Sequence, residues 1–110
     1  MARYIITGSY STAAMKGMIA KPSDRGAAVG ALIGAGGGRM EQFYVTTGEN
    51  DFMVIAQSDN VAGLLATLMT TAASGAVSNL RTVQAFTSDE FLAAQKAAGA
   101  LAAKYQAPSG

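Results

Sequence analysis

Histidine and cysteine are both absent from the 110 residues, so any chemistry must come from tyrosine, carboxylate, arginine or lysine. Without histidine the chain lacks the commonest metal ligand, the usual haem ligand and the usual acid–base group near neutral pH. Without cysteine it has no disulfide, thiol nucleophile or cysteine metal site. Tyr4, Tyr10 and Tyr44 are bulky with a polar tip, suited to packing and to lining a pocket alike. Glu41 and Arg81 stand inside strand-like runs, and these five residues are the candidate ligand contacts. A charged residue within a strand is usually solvated or paired across the sheet. In a covered sheet it needs a partner, since an unpaired buried charge costs several kcal/mol, so Arg39 or Arg81 is expected to pair with Glu41. Cofactor-independent catalysis would need a base of shifted pKa, and a buried Glu41 or Asp51 is the only evident source. No catalytic residue, metal ligand or cofactor is assigned.

The elements that would position these groups can be read in order. Arg3 to Tyr10 is a strand with Tyr4, Ile6, Gly8 and Tyr10 on one face and Arg3, Ile5, Thr7 and Ser9 on the other. Ser11 or Thr12 caps a short helix carrying Met15, Met18 and Ile19, which Pro22 interrupts. Ser23 or Asp24 caps a restart to about Gly34, with Val29, Leu32 and Ile33 facing inward. Lys21-Pro22-Ser23-Asp24-Arg25 is thus the first loop that could carry function. Gly34 to Gly38 invites a dinucleotide-binding reading, but Arg39 stands where a third glycine is required. The order is also reversed, since these glycines leave a helix and open a strand, so a helix C-cap and loop is expected.

Arg39 to Thr47 reads as a second strand, with Met40, Gln42, Tyr44 and Thr46 on one face by strict alternation. Gly48-Glu49-Asn50-Asp51 is a hairpin turn leading to a third strand over 51–57. Gly48 supplies the backbone angle and Asp51 caps the turn. The sharper alternative makes Asp51, with Glu49, an acid or ligand at the rim of a cavity. Ser58-Asp59-Asn60 caps a helix with Val61, Leu64, Leu65, Leu68 and Met69 at helical spacing, stopped by Gly75. Met15, Met18 and Met69 are expected in the core. Val77 to Phe86 is a fourth strand, with Arg81 on the face of Asn79, Val83 and Ala85. Thr87-Ser88-Asp89-Glu90 is a capping box opening a last helix that carries Phe91, Leu92, Leu101 and Tyr105.

Strand, helix, strand, strand, helix, strand and a final helix make a ferredoxin-like α+β fold. Its βαββαβ core is a four-stranded antiparallel sheet with helices on one face. A single domain is expected over 1–105, with a tail at 106–110. The open sheet face carries Tyr, Met, Thr and Val, so a second sheet is its expected partner. Half of the chain is apolar and 14% is charged, which excludes disorder. Much of the apolar half is alanine, so the core is thin and stands to gain from burial against a second copy. The formal charge is +1, with lysines and arginines scattered singly, so no nucleic-acid footprint is present. No run of apolar residues is long enough to span a bilayer, and the N-terminus enters a strand without a signal-peptide core. A cytoplasmic protein is expected, with no nucleic-acid or membrane partner.

The segment Arg3-Tyr4-Ile5-Ile6-Thr7-Gly8-Ser9-Tyr10, followed by Met15-Lys16-Gly17, Gly38-Arg39-Met40-Glu41-Gln42-Phe43-Tyr44 and Gly48-Glu49-Asn50-Asp51, resembles the GYD domain family. The likeness extends to residues 73–77 and Arg81-Thr82 and covers nearly all of the chain to about Glu90. Asn50 stands where that family's tyrosine is expected. The resemblance implies a ferredoxin-like fold of the dimeric α+β-barrel kind, two sheets packing face to face around a cavity. It implies little about activity. Two function classes follow. One is a small homo-oligomeric ligand-binding or structural module, whose partner is itself and whose cavity holds a small, partly apolar molecule. The other is a cofactor-independent enzyme of oxygenase or isomerase type. A surface that binds another protein has no motif behind it.

Overall fold

Each helix starts at a side chain that satisfies an amide of the first turn. Ser11 accepts from Ala14, Asp24 from Ala27 and Asn60 from Gly63, and Thr87 and Glu90 cap each other reciprocally. The computed structural model describes residues 1–108, so Ser109 and Gly110 of the expected tail lie outside the described residues. The elements are β1 (Ala2–Tyr10), α1 (Thr12–Ala20), α2 (Arg25–Ala35), β2 (Arg39–Val45), β3 (Phe52–Ser58), α3 (Val61–Ala73), β4 (Val77–Ala85) and α4 (Ser88–Ala102). The four strands form one antiparallel sheet in the order β2-β3-β1-β4. This is the ferredoxin-like arrangement with an added C-terminal helix.

One sheet face carries the core. Ile6 of β1, Phe52, Val54 and Ala56 of β3 and Ile33 of α2 are buried, with Tyr10, Val29, Met40, Phe43, Leu64, Leu68, Val77 and Leu80 packed around them. Phe52 is the hub, its ring 5.2 Å from Tyr10 and 6.4 Å from Phe43, centre to centre. The first turn of α3 crosses the end of α2 at backbone contact: a Cβ on Gly63 would sit 1.9 Å from the Gly36 carbonyl oxygen. Only glycine fits there.

Two strand irregularities reset the faces. Met40 pairs with Ala56 but Gln42 with Ile55, so Glu41 is an extra residue in β2. Strict alternation therefore fails: Met40 joins Phe43 on the helix side, while Gln42 and Tyr44 turn to the open face with Arg39. In β4 the pairing jumps from Thr7–Arg81 to Ser9–Ser78. Asn79 sits in that bulge at φ 53°, a left-handed angle that asparagine tolerates better than most residues.

Much apolar surface is left uncovered. Met15 and Met69, expected in the core, are exposed, and Met69 retains 71% of its surface. Of the three methionines only Met18 is partly buried. All residues of α4 are exposed, including Phe91, Leu92 and Leu101. The accessible surface is 7567 Å² for a chain of 11.1 kDa, against roughly 5,700 Å² for a folded monomer of that mass. The radius of gyration is 18.2 Å, against about 13 Å for a compact domain of this length.

Candidate functional site

The sheet divides the five candidate residues between its two sides. Tyr4 and Tyr10 alternate with Ile6 on the helix side, whereas Arg81 and Tyr44 lie on the open face with Glu41. The structure does not bring the five together.

On the open face, strand registers align three rows across the sheet. The central row is Gln42, Ile55, Ile5 and Val83; Arg39, Gln57, Arg3 and Ala85 flank it on one side, and Tyr44, Met53, Thr7 and Arg81 on the other. The Glu41 carboxylate accepts from the Arg3 guanidinium at 2.9 Å and from the Gln57 amide at 2.6 Å. Its ion-pair partner is thus Arg3, where Arg39 or Arg81 was expected, because the bulge brings Glu41 toward the start of β1. The hydrogen bonds from Arg3 and Gln57 hold the Glu41 carboxyl below its ordinary value. A general base needs the opposite shift.

The hairpin residues have structural positions. Gly48 adopts φ 100°, which its turn requires. The Asp51 carboxylate accepts from the Tyr10 amide at 2.8 Å, the Asp51 amide donates to the Gly8 carbonyl at 2.8 Å, and the Thr46 amide donates to the Asp51 carbonyl at 2.8 Å. Asp51 therefore clamps the end of β1 to the hairpin. Thr46 Oγ1 donates to the Asn50 carbonyl at 2.6 Å, a backbone contact that any residue at 50 could accept.

A cavity of about 590 Å³ lies on the helix side, between the sheet and α1, α2 and α3. It exists within one chain, apart from the space expected between two sheets. Ile6, Phe52, Val54, Val29, Leu68 and Leu80 form its apolar wall. Threonines of α3 also line it, but their donors are spent within the helix: Thr67 Oγ1 donates to the Gly63 carbonyl, Thr70 to Ala66 and Thr71 to Thr67. Polar groups free of such bonds gather where α1 ends and α2 begins, at Lys21, Ser23 and Arg25 with Tyr10 opposite. An adjoining groove of about 620 Å³ shares Tyr10, Ser23 and Arg25 and adds Asp24 and Asp51. Burial raises the pKa of the Tyr10 phenol; nearby Arg25 opposes that rise and Asp51 adds to it. Tyr10 is therefore a hydrogen-bond donor at neutral pH. The loop at 21–25 was legible from Pro22 in the sequence. The apolar wall was not, because its residues come from several elements and each reads locally as core.

Among the described residues no group of three or more acidic side chains could hold a metal ion, and no helix is long and apolar enough to cross a membrane.

The GYD domain model matches residues 4–94. None of the curated proteins matches the chain. Among solved structures, the protein TTHA0845 from Thermus thermophilus is 17% identical, with 80% of this chain and 96% of that one covered at a TM-score of 0.51. At that identity the likeness shows the fold alone. The protein FFRP-DM1 is 16% identical over 78% of this chain and 100% of its own, with a TM-score of 0.47. A hypothetical protein, PHS023, from Pyrococcus horikoshii is 16% identical over 79% and 92%, also at 0.47.

Proposed function

The chain belongs to the GYD domain family, and we propose that it is a small homo-oligomeric module that binds a mainly apolar small molecule between its helices and sheet. One observation carries this reading, the cavity of about 590 Å³ beneath α1, α2 and α3. Its size falls within the roughly 300–1,000 Å³ of small-molecule sites, and it has their usual makeup, apolar walls with a few placed polar groups.

Self-association is supported separately. The surface exceeds that of a folded monomer by about 1,900 Å², and the excess includes the central open-face row and the whole of α4. A face-to-face partner sheet from a second copy would cover Ile5, Ile55 and Val83. The open face then serves assembly and the helix side serves the ligand, in a cytoplasmic protein.

The test of the binding reading uses N-phenyl-1-naphthylamine, an uncharged fluorescent probe. Wild-type protein should bind it saturably at one site per chain, and Thr71→Trp, which adds an indole to the cavity wall, should lose that binding while keeping its circular dichroism. A wild-type chain that does not bind the probe, or a Thr71→Trp chain that binds it equally, overturns the reading.

A further inference from the structure

The charged groups that line the cavity are of one sign and lie close together in the chain. Lys21 and Arg25 line it, and no carboxylate does. The two nearby acids keep their charge but are oriented by main-chain hydrogen bonds. Asp24 caps α2 by accepting from the Ala27 amide at 3.0 Å, and Asp51 accepts from the Tyr10 amide at 2.8 Å. Both line the outer groove and not the cavity. Among the described residues the ion pairs are Arg3 with Glu41 and the N-terminus with Asp59, so Arg25 and Lys21 are in neither. Arg25 is also the first residue of α2, where a cation works against the helix dipole, so helix stability does not account for it. It is half-buried beside Tyr10.

From this arrangement we infer that the ligand is an amphipathic carboxylate, its head group held by Arg25 and the Tyr10 hydroxyl and its apolar body lying along Val29, Phe52, Val54, Leu68 and Leu80. The inference rests on the cavity-binding reading above and adds the chemistry of one end. A carboxylate matches two convergent donors, one charged and one neutral. Lys21, exposed at the mouth, adds to the attraction without closing on the ligand. The rest of the wall offers no free hydroxyl donor from α3 that would favour a polar body, because Thr67, Thr70 and Thr71 already donate to their own helix. An amine head would meet the charges of Arg25 and Lys21, and an alcohol would forgo the charge-assisted bond to the guanidinium.

The experiment compares three probes of equal chain length, decanoate, decan-1-ol and decylammonium, by displacement of N-phenyl-1-naphthylamine below their micelle thresholds. Decanoate should bind at least about tenfold more tightly than decan-1-ol, and decylammonium more weakly than either. Arg25→Gln should remove about tenfold from decanoate affinity and leave decan-1-ol unchanged, while Arg25→Lys restores part of the loss. Equal affinity for decanoate and decan-1-ol overturns the head-group inference but leaves the cavity reading standing. Failure of all three to displace a bound probe also overturns the inference, and failure of the probe itself to bind removes the cavity reading with it. An Arg25→Gln chain that loses decan-1-ol as well as decanoate would assign Arg25 a structural role and likewise refute the inference.

Discussion

Val83 lies in the middle row of the open sheet face, on the edge strand β4 beside Ile5, and is 57% exposed in the single chain. If a second copy covers that face, replacing Val83 with Glu carries a charge into the interface. In an isolated chain the same side chain simply meets water, so its effect on folding should stay within about 0.5 kcal/mol. In a covered interface an uncompensated charge costs several kcal/mol. A symmetric dimer carries the substitution twice, so at only about 2 kcal/mol per copy on this edge strand, and about 1.4 kcal/mol per tenfold, the dimer should weaken roughly a thousandfold. The uncovered surface is of matching scale, since about 1,900 Å² per chain beyond the monomer expectation reaches the range of obligate interfaces. Sedimentation equilibrium over a range of concentrations reads the effect directly. Wild type should be associated at micromolar concentration, Val83→Glu monomeric, and Val83→Ala close to wild type, since it removes apolar area without adding charge. A wild-type monomer at those concentrations, or a Val83→Glu chain that associates normally, would refute the reasoning.

Other perturbations test the fold's particular joints. Gly63→Ala should destabilise the chain by at least about 1–3 kcal/mol, read by urea unfolding, because the new Cβ cannot coexist with the Gly36 carbonyl 1.9 Å away. Asn79→Val should cost about 1–3 kcal/mol by strain at φ 53°, whereas Asn79→Gly should be tolerated, and equal effects would remove the backbone explanation. The folded Glu41 carboxyl lies below its ordinary 4.5, so its contribution is complete above that value and is lost as pH falls through the folded pKa. Acid unfolding should therefore be shallower in Glu41→Gln below about pH 4.5, with the slope that remains including Glu90, also lowered by its bonds to Thr87. Thr87→Ala should lower the helical signal of α4, whose exposed length gains little from packing within the chain.

The order of elements was legible because each boundary has a local cause: side-chain caps at Ser11, Asp24, Asn60 and Thr87, a proline at 22, and glycines at 37, 48 and 75. Strand faces were legible where alternation was unbroken, as in β1, and failed in β2. Nothing about Glu41 itself announces a bulge; the extra residue is fixed by pairing with β3, which local pattern does not encode. The same bulge is why Arg3 and not Arg39 or Arg81 became its partner. Met15 and Met69 were misread because helical spacing marks an apolar stripe without saying what covers it, and within one chain Met15 is covered only in part and Met69 little. Among the candidate tyrosines, alternation placed Tyr10 with Ile6, and it lines the cavity, whereas Tyr44 was placed with Met40 and the bulge turns it to the open face.

Asp51 connects these observations. Its carboxylate is directed at the Tyr10 amide, and its own amide and carbonyl are bonded to Gly8 and Thr46. A carboxylate that accepts a main-chain hydrogen bond in this way is a poor candidate for an acid acting on a ligand, yet it fixes where β1 ends. Where β1 ends determines where the Tyr10 ring packs, tilted, against Phe52 and how close its hydroxyl comes to Arg25. The hairpin thus works at one remove: Gly48 permits the turn, the turn presents Asp51, and Asp51 places the tyrosine. The side chain at position 50 has no part in that chain of contacts, since only the Asn50 carbonyl is used. An asparagine there is compatible with an intact clamp and an intact cavity. On this reasoning the hairpin residues act through the backbone of β1, and the groups that meet a ligand belong to the loop between α1 and α2 and to the strand they face.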